Sequence, residues 1–227
     1  MIKLYCPQQY IQSYTDLLTN AELRDNIAIS EYRDAIIAVD SRNRTFGVLN
    51  ASGKFVVQSR SYRYNCDHYQ SAPSVLCARH ADFQDCDAIY CGRTMAFHFG
   101  HFLIEGLSRV WPALTDEYAH AKLVFTEHSR HPMPPYAVEL LKLLGVWDRV
   151  LIISKSTRFR RVYVPMQSQA ISYYASFTQS NIYQTIAAAA PDTEKYDKIY
   201  LSRAKMGARK TYGEETVQHI FEKTDIK

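Results

Sequence analysis

No run in this 227-residue chain approaches the roughly 18 consecutive apolar positions that a membrane-crossing helix needs. The opening, MIKLYCPQQYIQSY, breaks into polar residues and proline before the apolar core of a signal peptide could form. Both absences predict a cytoplasmic protein with no transmembrane segment, although a peripheral association with a membrane stays compatible with them. Cysteine is sparse and unpaired in pattern. The five thiols, Cys6, Cys66, Cys77, Cys86 and Cys91, are odd in number and form no CxxC, which argues against a disulfide framework. The same irregular spacing speaks against a structural zinc site in the stretch holding Cys66, His68, Cys77, His80, Cys86 and Cys91, because such sites announce themselves as two close ligand pairs. Excess charge is also missing. A net charge of +4 falls well short of the dense basic stripes of nucleic-acid binders, and the two arginine-aromatic runs, RSYRY and RFRR, sit inside expected strands.

What is present is globular. A chain that is 47% hydrophobic and 22% charged can bury one large core or two small ones. Residues 27 to 64 alternate β-rich runs with turns (NIAISEY, DAIIAVD, TFGVLN, KFVVQSRSYRY), and the turn formers Asn50 to Gly53 predict a hairpin between the last two. An antiparallel section near the N-terminus is therefore expected. After about residue 74 strands and helices alternate, the rhythm of a parallel sheet, so the fold class is α/β. Pro134 and Pro135 open a helix whose body is ELLKLL and whose end is Gly145; the flanking runs LVFTE and RVLIIS should share a sheet. Residues 173 to 190 predict another helix stopped by Pro191, residues 191–197 a linker, and residues 198–227 one further strand (KIYLSR) and helix, too little for an independent core.

The most informative stretch is FHFGHFLIEGLSRVWPAL, residues 97 to 114. Read as one helix, kinked or ended by Pro112, it places Phe99, Leu103, Leu107, Val110 and Leu114 on one side. His98, His101, Glu105, Ser108 and Arg109 then fall on an arc of roughly 100° on the other side. His101 and Glu105 are one helical turn apart, so the carboxylate can orient the imidazole. The spacing suggests a site without naming its reaction; a solvated polar face is the plain alternative.

Taken in order, GHFLIEGLSRVWPAL, ELLKLLGVWDRVLIIS, RFRRVYVP and KIYLSRAKMGARKTYGEE resemble the glycosyltransferase family 61 group, which includes enzymes of bacterial capsular and exopolysaccharide biosynthesis. The resemblance covers most of the chain. It implies a GT-B architecture of two Rossmann-like domains, with residues 1 to about 190 as the acceptor-side domain and KIYLSR as the start of the donor-side one. It further implies transfer of a sugar from a nucleotide-sugar donor to a hydroxyl of a glycan or lipid-linked saccharide acceptor, with no required cofactor or metal. His101 would be the catalytic base, with Glu105 orienting it or taking that role itself, and His98 and Arg109 would contact substrate. Arg203, Lys205, Arg209 and Glu214, with Lys210 beside them, would meet the donor. Two departures stand out: Gly213-Glu214 replaces the usual Asn-Glu pair, and a later glycine-rich segment has no counterpart before Lys227, so the donor domain is expected to be cut short. Two other classes compete. His98, His101 and Glu105 could serve a metal-dependent hydrolase, and the 17 tyrosines would suit a non-catalytic carbohydrate-binding module.

Overall fold

A computed structural model describes residues 22–23, 27–42, 44–62, 72–94, 98–127, 132–171, 173–191, 200, 202–204 and 212–223. The chain divides into two compact units, residues 1–190 and 191–227. The first is mixed α/β. Its six-stranded sheet comprises β1 (Ile29–Asp40), β2 (Thr45–Leu49), β3 (Asp82–Arg93), β4 (Lys122–Thr126), β5 (Val150–Ile153) and β6 (Thr157–Pro165), in the spatial order β2-β1-β6-β3-β4-β5. β1 pairs antiparallel with both β2 and β6, whereas β6, β3, β4 and β5 run parallel. The expected antiparallel section and parallel block are thus one continuous mixed sheet.

Burial explains why the central strands carry unbroken apolar runs. From Asp87 to Gly92 every residue of β3 is buried, with Ile89 and Cys91 on one face and Ala88 and Tyr90 on the other, as expected for a strand covered on both sides. The first face packs against α2 (Pro135–Leu143), α3 (Phe177–Ala189) and the segment from Phe102 to Ala113. The second is covered by the sheet itself, which curls until Ala35 and Ile37 of β1 and Phe46 and Val48 of β2 share a core with Val124 and Ile153. At that closure the Arg93 guanidinium lies 5.2 Å from the Phe46 ring centre.

Local chemistry sets several boundaries. Pro134 caps α2, and its end is a Schellman turn: Gly145, at φ +69°, donates to the Lys142 carbonyl (2.8 Å), and Val146 donates to that of Leu141 (3.0 Å). The helix expected over residues 173 to 190 begins later, because Tyr174 and Ala175 are taken into a small three-stranded sheet with Glu22–Leu23 and Gln169–Ala170; Ser176 then caps α3 through Gln179. The runs NIAISEY and DAIIAVD form one strand, bent where Asp34 adopts φ +51°. The expected strand after the Asn50 turn shrinks to a single Leu49–Phe55 bridge and a 3-10 turn, Val57–Ser59, because Ser59 turns inward to bond the Val48 amide (2.9 Å).

In the second unit α4 (Glu214–Phe221) follows Gly213, whose φ of +80° suits only glycine comfortably. Of the expected KIYLSR strand, residues 198, 199 and 201 lie outside the described residues, and Tyr200, Ser202 and Arg203 belong to no strand. Among the described residues no helix is long and apolar enough to cross a membrane.

Candidate active site

The stretch expected as one helix over 97–114 is interrupted, and the interruption builds the site. His98 is extended and its carbonyl accepts from the Phe102 amide (2.9 Å), starting α1 (Phe99–His101). The chain then widens into a π turn, Phe102–Gly106, closed by the Leu107 amide on the Phe102 carbonyl (2.9 Å). A π turn leaves one carbonyl without its usual helical donor. Here that of Leu103 accepts from Gln179 Nε2 (3.3 Å) and the Tyr183 hydroxyl (3.2 Å), both on α3. The break therefore comes from α3, well before Pro112, which instead opens a short 3-10 turn, Trp111–Leu114. Gly106 is required by contact: a Cβ there would sit 2.6 Å from the ring of Phe102, which is itself fully buried.

His101 and Glu105 meet as the spacing predicts, with Nδ1 and Oε2 2.6 Å apart. The carboxylate side chain is 2% exposed and the imidazole 34%, so a buried acid holds a ring that reaches solvent. With Nδ1–H assigned as donor to the carboxylate, Nε2 carries the lone pair. His98, exposed, stands edge-on to His101 with ring centres 5.1 Å apart. Phe99, on the side expected to pack, is more than half exposed, its ring edge against Tyr136.

Ser108 and Arg109 belong to the interior rather than to an open polar arc. The Ser108 carbonyl accepts from both the amide (2.7 Å) and hydroxyl (2.9 Å) of Ser168, past the carboxyl end of β6. The Arg109 guanidinium, in a residue 2% exposed, donates to the carbonyls of Gln58 (3.0 Å), Arg60 and Pro165, and sits 5.6 Å from the Tyr90 ring centre. Burial pulls its pKa below the ordinary arginine value, and its charge is met by these oxygens. The residue expected to touch substrate thus fastens the turn to two distant stretches of main chain, at residues 58–60 and 165.

On the second unit, Glu214 accepts from the Tyr200 hydroxyl (2.6 Å) and the Arg203 amide (3.0 Å). These bonds, the tyrosine's first, hold the carboxyl below its usual range, while the same hydrogen bond pushes Tyr200 up to about 12. The Arg203 side chain is exposed; Lys205, Arg209 and Lys210 lie outside the described residues, as do Cys6, Cys66 and His68. Among the described residues no three His, Cys, Asp or Glu side chains gather to hold a metal ion, His98, His101 and Glu105 included.

Other charged groups, not singled out from sequence, gather at the carboxyl ends of the strands: Asp40, Arg93 and Glu127 around a hollow of about 390 Å³. The signal was present, since each closes an apolar run (DAIIAVD, DAIYCGR, LVFTE), and the carboxyl ends of parallel strands are where such sheets take ligands. Comparison with family models, with curated proteins and with solved structures gives no match.

Proposed function

We propose that the chain carries the acceptor-side part of a glycosyltransferase resembling family 61, of GT-B type, and that His101 is its general base. The carrying observation is the His101–Glu105 pair: a solvent-reaching imidazole fixed at 2.6 Å by a buried carboxylate, on the turn that leaves the carboxyl end of β3. In the proposed step an acceptor hydroxyl gives its proton to His101 Nε2 as its oxygen attacks the anomeric carbon of a nucleotide sugar. The bond from that carbon to the phosphate oxygen breaks, and the nucleotide departs with the electron pair. Glu105 keeps the ring in the tautomer that can accept and stabilises the imidazolium that forms. His98 lies near enough to contact the acceptor. For the donor, the sequence resemblance alone assigns Arg203, Lys205, Arg209 and Glu214.

The test is nucleotide release and saccharide elongation, followed by mass spectrometry over a panel of nucleotide sugars and glycan acceptors. Transfer is expected with at least one pair, and Glu105→Gln should slow it by about 10- to 100-fold with the acceptor KM little changed, an effect of orientation and charge rather than of binding. Absence of transfer across the panel, or a Glu105→Gln protein as fast as the parent, contradicts the assignment.

A further inference from the structure

We propose that the hollow at the carboxyl ends of β3, β4 and β5 binds a neutral, polyhydroxylated ligand, a saccharide unit in size and chemistry. It is bounded by Asp40 at the end of β1, Arg44 in the β1–β2 turn, Arg93 at the end of β3, Thr126 and Glu127 at the end of β4, and Ser154 after β5. Its volume of about 390 Å³ lies within the roughly 300–1,000 Å³ of small-molecule sites. The position follows from topology: parallel strands deliver their C-terminal residues to one edge, and the curl of the sheet brings the end of β1 to the same place.

The lining selects the ligand class. Among the described residues the lining has two guanidinium groups, two carboxylates and several hydroxyls, donors and acceptors whose charges balance, with one Asp40 oxygen already accepting from the Arg42 amide (3.2 Å). A phosphate-like dianion would be repelled by Asp40 and Glu127. A divalent cation would be repelled by Arg44 and Arg93, and among the described residues no three metal ligands converge. A flat heteroaromatic ring finds no open platform, since Phe46 is buried beneath the Arg93 guanidinium. Vicinal hydroxyls suit the set: carboxylates accept from them and guanidinium groups donate to them.

Two further observations concern the same wall. Arg44 adopts φ +55°, in the left-handed region that side chains with a Cβ avoid, so an arginine stands where glycine would relieve strain. Next to it the Thr45 hydroxyl is buried without a hydrogen-bond partner among the described residues. Strain at a cationic rim position and an unmet polar group beside it are what a site built for binding at some cost in stability would show.

Titration of the ¹⁵N-labelled protein with glucose, galactose and N-acetylglucosamine, alongside inorganic phosphate, Mg²⁺ and glycine, tests the assignment. At least one saccharide should shift the amides of residues 40–46, 93 and 126–127. Glu127→Gln should weaken that binding by about tenfold or more, as loss of a charged hydrogen-bonding group does. Arg44→Gly should weaken it similarly while raising Tm by a few degrees, opposite signs that a purely structural arginine would not produce. His101→Ala should leave this binding within about twofold, so loss of turnover with saccharide binding intact bears on the transfer chemistry and not on the hollow. The assignment is overturned by shifts with phosphate, Mg²⁺ or glycine in place of the saccharides, by no shifts at all, or by saccharide binding that both variants leave unchanged.

Discussion

Two histidine–carboxylate pairs sit on the same strand-to-turn framework, at opposite ends of its strands. His101 meets Glu105 at 2.6 Å on the turn beyond the carboxyl end of β3. His120 meets Asp87 at 3.1 Å beside the start of β4. Both acids are buried and both rings reach solvent, and Asp87 is also held by Arg160 (2.8 Å) and Arg161 (3.8 Å) on the neighbouring β6. Burial alone would raise the Asp87 pKa; hydrogen bonds from Arg160 and His120, with the charges of both arginines, outweigh it and set the carboxyl below its ordinary value. That acid clamps β3 to β6. The contrast teaches that a histidine beside a buried carboxylate is not by itself a catalytic signature; which end of the strands it occupies points to clamp or base.

The turn that carries His101 repeats this division, with chemistry at its front and fastening at its back. Arg109→Ala should give the largest effect, about 3 kcal/mol or more of lost stability in urea unfolding, because three carbonyls, one buried and two partly buried, each lose a donor at about 1–3 kcal/mol. A loss below about 1 kcal/mol would mean that the back of the turn is not a fastening. Gly106→Ala should cost about 1–3 kcal/mol by pushing the Phe102 ring out of its place, and should disturb the His101–Glu105 geometry with it. A fully stable, fully active Gly106→Ala protein would break the link drawn between the π turn and the site.

Asp87→Asn should cost less, about 1–2 kcal/mol at neutral pH, since Arg160 stays half in solvent. Its pH dependence sharpens the comparison. A carboxyl with a depressed folded-state pKa stabilises the fold at pH values above its unfolded value of about 3.9, and the contribution fades as pH falls through the folded value. The stability gap between parent and Asp87→Asn should therefore be full at pH 7 and shrink below about pH 4. A gap constant down to pH 2 would contradict the clamp.

Much of this was legible in the residues. Apolar runs marked the strands, Pro134, Pro135 and Gly145 marked α2, and the four-residue spacing of His101 and Glu105 placed their side chains together. The π turn was not legible, because it depends on Gln179 and Tyr183, 76 and 80 residues from the carbonyl they claim. Nor was the burial of Arg109, which looks like a surface cation on any helical projection and is drawn inward by carbonyls at residues 58, 60 and 165. Local periodicity cannot report partners that distant. The curl of the sheet, which gathers Asp40, Arg93 and Glu127 at one edge, is invisible for the same reason.

The most direct measurement is the transfer rate of His101→Ala beside that of His120→Ala, in proteins matched for folding by circular dichroism. Loss of a general base should slow the first by about 10²- to 10⁴-fold, while the second stays within about threefold of the parent. Equal rates for the two variants, or a larger loss at residue 120, would contradict the assignment of the chemistry to the turn beyond β3.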